Sequence, residues 1–158
     1  MKGIDWRWLS NLNEADHSAM TALAVKQYYA QATYWKELGV DWNSPQPKTI
    51  HSHMANYVKN AAIKLIIRDV NETMIGFALL SVERTDKGMI CHIDEVFIDE
   101  PYRGRGIGSA TLVRIKRHAE KQKIVALTLN VSSANPVRRL YERMGFQSVQ
   151  VKYQMRLI

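Results

Sequence analysis

Tyr102-Arg103-Gly104-Arg105-Gly106-Ile107-Gly108-Ser109 decides how the rest of the chain is read. Three glycines alternate over five residues, arginines stand beside them, and a helical pattern begins immediately afterwards. Upstream, Met89–Ile98 is rich in apolar and β-branched residues and predicts a strand. Downstream, Gly108, Leu112, Ile115 and Ala119 share one helical face, while Arg114, Lys116, Arg117 and Lys121 occupy the other. A strand, a glycine–arginine loop and a helix start together make an anion cradle. Glycine lets the backbone approach a ligand closely, the first helical N–H groups point outward unpaired, and the helix dipole favours negative charge. The implied ligand carries phosphates.

Working outward, Lys64–Asp69 and Met74–Arg84 predict two strands joined by a short turn, and Asp86-Lys87-Gly88 turns the chain into Met89–Ile98. These three make an antiparallel meander. Ile124–Val131 predicts a further strand, parallel to Met89–Ile98 through a right-handed crossover. Asn135-Pro136 opens a last helix with a capping residue and a proline, Val137, Leu140, Tyr141 and Met144 keep the helical rhythm, and Gly145 stops it. Phe146–Leu157 predicts one or two closing strands. Toward the N-terminus, Ile4–Leu9 is a candidate first strand. Asn13 or Asp16 caps a helix to about Trp35, Gly39–Pro47 reads as a loop, and Thr49–Ala62 as a second, more polar helix. The aromatic residues here read first as core; alternatively Tyr34, Trp35 and Trp42 line an acceptor pocket. The fold class is α/β, a mixed and mostly antiparallel sheet with helices on both faces, expected as a single domain over 1–158.

The chain has 158 residues, 46% of them hydrophobic and 23% charged, as in an ordinary soluble globular protein. No apolar run approaches the ~18 residues of a membrane helix, and the N-terminus lacks a signal peptide's apolar core. Cys91 is the only cysteine, so neither an intrachain disulfide nor a cysteine-based metal cluster is possible. The expected location is the cytoplasm. A formal charge of +7 suits a polyanion or polyphosphorylated ligand, but no nucleic-acid-binding motif accompanies it. A dinucleotide fingerprint would need glycine where Ser109 stands, and no Walker pattern is present. His51 and His53 diverge on a helix, so no metal site is expected.

Arg103-x-x-Gly106-x-Gly108, followed by Asn135-Pro136-Val137-Arg138-Arg139-Leu140-Tyr141-Glu142-Arg143-Met144-Gly145-Phe146, closely resembles the GNAT superfamily of acetyl-CoA-dependent N-acetyltransferases. The first motif is similar to that family's pyrophosphate loop, [RQ]-x-x-G-x-[GA], and the second to its N-P-x-R-x-L-Y-E-x-x-G-F ending. The resemblance extends over roughly residues 63–157; the first 60 fit in layout only. It implies a GNAT-like fold whose sheet splays at the acetyl-CoA site, with acceptor-side helices in 1–62 and a coenzyme-binding core in 63–158.

The resemblance also implies roles. Backbone N–H groups of Arg103, Gly104, Arg105, Gly106, Ile107, Gly108 and Ser109 hold the coenzyme pyrophosphate. Unpaired backbone groups of Val96, Phe97 and Ile98 bond the pantetheine arm as a peptide adds to a sheet edge, and one N–H can polarise the thioester carbonyl. Tyr141 matches the family's general acid, which protonates the departing thiolate. Glu95 stands where many members carry a glutamate that takes the amine proton. Strict alternation points its neighbour Asp94 to the other face of the sheet, but a bulge would change that parity and leaves the choice of base open. Asn135 suits both a helix cap and a coenzyme contact. Val137 departs from the smaller residue often found there. Arg138, Arg139 and Arg143 either meet the coenzyme's 3′-phosphate or form a solvated face. The reaction implied is direct attack of an amine in a ternary complex, without metal. The rival reading is a non-catalytic acyl-CoA-binding module, opposed by the joint presence of Glu95 and Tyr141. The acceptor, small molecule or protein, stays open, as does a homodimer. The positive charge weighs against a polycationic acceptor unless carboxylates cluster at the groove.

Overall fold

The apolar strands lie side by side in one sheet. In the computed structural model, which describes residues 1–37, 47–153, 155 and 157, β1 (Asp5–Leu9), β2 (Ile63–Arg68), β3 (Met74–Thr85), β4 (Gly88–Ile98) and β5 (Ala126–Leu129) are neighbours in that order. The first three pairings are antiparallel, and β4 with β5 is parallel. Helices α1 (Glu14–Glu37) and α2 (Pro47–Asn60) precede β2, α3 (Ile107–Lys121) connects β4 to β5, and α4 (Arg138–Arg143) follows β5. Among the described residues no helix is long and apolar enough to cross a membrane.

Period-2 alternation along the strands sends side chains to two separate cores. On one face Met20, Leu23 and Ala24 of α1 and Val58 of α2 pack on Ile66, Phe77, Leu79 and Phe97. On the other, Leu112 and Ile115 of α3, with Leu140 and Met144 nearby, cover Leu65, Ala78, Leu80, Cys91 and Ile93. Helix α3 also engages β1. The Trp6 indole N–H donates to Thr111 Oγ1 at 3.0 Å, the Arg114 guanidinium lies 3.6 Å from the Trp6 ring centre, and Trp8 stacks on His118 at 4.2 Å. Lys64 is 2% exposed, yet its Nζ donates to the carbonyls of Ser10 at 2.7 Å and Ala61 at 2.6 Å. Burial lowers its pKa.

Most expected boundaries fall within two residues of those found, and the exceptions have physical causes. Asn13 is the cap of α1, its Oδ1 accepting the Asp16 N–H at 2.7 Å, while Asp16 pairs with Arg68 at 2.6 Å. The Gly39–Pro47 loop, up to its last residue, and Trp42 lie outside the described residues, as does the side chain of Trp35; Pro47 itself begins α2. β5 is shorter than 124–131 because the Ile124 amide is spent on the Ala119 carbonyl at the end of α3. α4 starts late because the amides of its first residues, Arg138, Arg139 and Leu140, bond back only three residues, to the carbonyls of Asn135, Pro136 and Val137, as in a turn. Its end is a Schellman arrangement on Gly145, φ 98°, with Phe146 N–H on the Tyr141 carbonyl and Gly145 N–H on that of Glu142. The closing strands expected over Phe146–Leu157 are absent from 146–153. Val149, Val151, Tyr153, Met155 and Leu157 alternate as a strand would but stand exposed, and an alternating segment becomes a strand only where an edge pairs its backbone.

Candidate active site

The glycine loop sits between the end of β4 and the start of α3. A turn of 3-10 helix at Glu100–Tyr102, capped by Asp99, redirects the chain out of the sheet. Gly104 and Gly106 then adopt φ values of +75° and +78°, which side chains other than glycine's disfavour. A Cβ built on Gly104 would meet nothing within 4 Å, so this glycine is required by backbone conformation and leaves the surface before it open. Helix α3 makes its first bond from the Ala110 N–H to the Gly106 carbonyl at 3.0 Å, so the amides of Ile107, Gly108 and Ser109 precede the helical ladder. Both arginines brace the loop from outside. Arg103 Nε donates to the Ile98 carbonyl at 2.8 Å with its guanidinium over Phe97, and Arg105 donates to the Pro101 carbonyl at 3.2 Å over Tyr102.

Beside this loop the sheet opens. β4 pairs with β5 only from Ile90 to Ile93, matched with Ala126 to Leu129. Val96, Phe97 and Ile98 continue paired with β3 on one side and, among the described residues, have no strand on the other. An extended ligand could follow that free edge.

The same strand carries the bulge on which the choice between the carboxylates turned. Leu79 is opposite Glu95 and Leu80 opposite Ile93, so Asp94 is the extra residue. Ile93 faces the α3 core, and the bulge allows Asp94 and Glu95 both to face α1 and α2. Glu95 Oε2 accepts from Gln27 Nε2 of α1 at 3.1 Å, and Asp94 Oδ1 accepts from the Ser81 hydroxyl of β3 at 3.2 Å. His92 Nε2 lies 3.9 Å from the same Asp94 oxygen. Burial pushes the Glu95 carboxyl up to about 7, the Gln27 hydrogen bond works against this, and the Asp94 charge adds to it. Burial raises the Tyr57 phenol of α2 as well, with the charges of Glu95 and then Asp94 contributing, and Tyr57 shares a cleft with Asp94.

Tyr141 comes from α4 and packs at the margin of the α3-side core. Its ring is held edge-on by Phe146 at 5.9 Å between centres, and its pKa is raised by burial and then by the Glu95 charge. Asn135 Oδ1 accepts the Val137 N–H at 3.0 Å, which fixes the turn that aims α4. Val137, Leu140, Tyr141 and Met144 face inward as their spacing predicts, while Arg138, Arg139 and Arg143 are exposed and Arg138 pairs with Glu142 at 3.6 Å. Cys91 lies 5% exposed in the α3-side core, with its thiol pKa raised by burial and the Asp94 charge.

A sequence profile of the acetyltransferase (GNAT) domain matches residues 17–158. The chain belongs to the GNAT acetyltransferase family. Its relatives are named accordingly. An uncharacterised N-acetyltransferase of Methanocaldococcus jannaschii is 31% identical over 88 residues, covering 52% of this chain and 38% of that one. The spermine/spermidine N(1)-acetyltransferase of Bacillus subtilis is 34% identical over 80 residues, covering 47% and 53%. This GNAT chain thus spans about half or less of the length of the curated relatives it matches. In fold, it resembles an acetyltransferase of Clostridium acetobutylicum solved with acetyl-CoA, with a TM-score of 0.67 at 19% identity over 97% of this chain and 96% of the other.

In this member of the GNAT acetyltransferase family, Asp94 and Glu95 are adjacent on the bulge of β4, the Glu95 charge reaches Tyr141, and the strand continues through its free edge toward the glycine loop. Three neighbours escaped the sequence reading: Gln27, Tyr57 and Ser81. A faint signal existed for two of them. Gln27 continues the stripe Met20, Leu23, Ala24, where an apolar residue would complete the face, and Tyr57 puts a hydroxyl beside buried Val58. Ser81 had no such mark, since only the register of β3 against β4 connects it to Asp94.

Proposed function

We propose that this acetyltransferase moves the acetyl group of acetyl-CoA to a primary amine by direct attack in a ternary complex. The observation that carries the reading is that Glu95 and Tyr141, from different elements, are close enough for the Glu95 charge to act on the Tyr141 hydroxyl. Glu95 lies two residues past Ile93, where β4 parts from β5. The loop fits a pyrophosphate: positive-φ glycines, unladdered helix amides and an open surface in front of Gly104. Acetyl-CoA, when bound, supplies the activated thioester. Arg103 to Ser109 would hold its pyrophosphate, Val96 to Ile98 its pantetheine arm, and Asn135 would support that edge. Residues 1–62 would form the acceptor side and 63–158 the coenzyme side of one domain, a division supported by Gln27 and Tyr57 facing the β4 carboxylates.

Glu95 acts as the base. With its pKa near 7 it is substantially ionised at neutral pH and can take the proton from the substrate ammonium, freeing the neutral amine to attack the thioester carbonyl. Gln27 orients it. Tyr141, protonated because burial and Glu95 hold its pKa high, returns a proton to the departing sulfur. Cys91 takes no part, since its thiol is buried in the α3-side core. The spermine/spermidine relative supports an amine acceptor. The test is Tyr141→Phe, measured by thiol release and by coenzyme titration. Turnover should fall ~10²-fold or more, the usual worth of a positioned acid, with acetyl-CoA affinity nearly unchanged. Undiminished kcat would remove Tyr141 from the chemistry.

A further inference from the structure

One face of α2 is unusual. His53, Asn56, Tyr57 and Asn60 recur at i, i+3, i+4 and i+7, the spacing of a core-facing stripe, yet these residues are polar or amphipathic. Tyr57 packs at the edge of the α1-side core, while His53, Asn56 and Asn60 stay exposed. With Ser81 of β3 and Asp94 of β4 they line a cleft of about 450 Å³, open to solvent, whose Tyr57 also feels the Glu95 charge. Among its described lining residues Asp94 is the only carboxylate, and no Lys or Arg accompanies it. Its side chain is 25% exposed, with one oxygen held by Ser81 Oγ. The bulge provides two adjacent carboxylates on one face: Glu95 buried against Gln27, and Asp94 turned into the cleft.

We propose that Asp94 is the specificity-determining residue for the acceptor and binds a second ammonium group of it, so that the preferred substrate is a diamine or polyamine. This rests on the acetyl-transfer reading above. One amine lies at Glu95 for acetylation. The chain between the amines lies along Tyr57, and the second, charged nitrogen donates to Asp94, with Asn56 and Asn60 offering neutral amides farther along α2. Among the described residues no Lys or Arg lines the cleft beside this carboxylate, and His92, 3.9 Å away, counts as a cation only when protonated, so Asp94 selects for positive charge and disfavours acidic acceptors by repulsion. The overall charge of +7 weighs against a polycation only where no acidic groove receives it, and this cleft is such a groove.

The test compares a series of α,ω-diamines with monoamines of equal length, using the full chain with saturating acetyl-CoA at about pH 8.5, where Glu95 is ionised in every variant. Asp94 also raises the Glu95 pKa, so the readout is the ratio of kcat/KM for diamine over monoamine, not either rate alone. The wild type should favour diamines about tenfold or more, the usual worth of a hydrogen bond to a charged group, and Asp94→Asn should abolish the preference through KM. Asp94→Glu should restore part of it, and Asn60→Asp should move the optimum toward longer polyamines. A diamine preference unchanged in Asp94→Asn, with melting temperature intact, would sink the subsite and leave acetyl transfer standing. Absence of turnover with every amine, despite coenzyme binding, would overturn both.

Discussion

Glu95 is held at a cost to the fold. In the unfolded chain its carboxyl has a pKa near 4.5, and in the folded protein one of about 7. Between these values the folded state binds more protons, so the stability associated with this group is present below about pH 4.5 and is lost as pH rises through 7. The difference corresponds to up to about 3 kcal/mol. Glu95→Gln should therefore be more stable than wild type at pH 8 and nearly equal to it at pH 4, as read from urea unfolding at both. Its kcat should fall, and the rise of kcat/KM with pH through about 7, expected of the wild type, should vanish. A wild-type profile flat from pH 5.5 to 8.5 would mean that Glu95 is not the base. The sequence pointed to Glu95 and Tyr141 because each belongs to a recurring local pattern. It was silent on Gln27 and Ser81, which matter only through contacts 68 and 13 residues away along the chain.

At the level of elements, β4 is the part on which most depends. It pairs along its length with β3, releases β5 after Ile93, and bulges at Asp94. Its existence and direction were readable from β-branched content and turn residues, as were the meander and the parallel return. The bulge was foreseen only as an alternative, because a one-residue change in parity leaves no mark in composition. The expected C-terminal strands failed for the converse reason: alternation is local, but a strand exists only in a pairing. The close fit of β3 to β4 can be tested at Gly76, where a Cβ would lie 2.5 Å from the Phe97 carbonyl oxygen. Gly76→Ala should cost ~1–3 kcal/mol, as overpacking does, and should weaken coenzyme binding by displacing Phe97 and Ile98. An unchanged urea midpoint would show that the two strands can separate freely there.

Taken whole, the molecule divides its charge. It is basic overall, with exposed arginines at the glycine loop and on α4, whereas the cleft under α2 presents a carboxylate. A donor bearing phosphates and an acceptor bearing ammonium groups would thus be drawn to different surfaces. The KM for acetyl-CoA should rise as salt goes from 50 to 300 mM, while that for a monoamine changes little; equal insensitivity of both would show that the net charge steers nothing. An ion pair joins α1 to the turn that precedes the glycine loop. Lys26 of α1 grips Asp99, the cap of the turn leading into the glycine loop, at 3.1 Å from both carboxylate oxygens. The next residue along α1, Gln27, holds the Glu95 carboxylate. Any tightening of the loop around a donor that reaches α1 through this pair would alter acceptor affinity, and thermodynamic reciprocity would then make the acceptor tighten the donor by the same factor. One step along a helix separates the residue paired with the cap of the loop's turn from the residue hydrogen-bonded to Glu95.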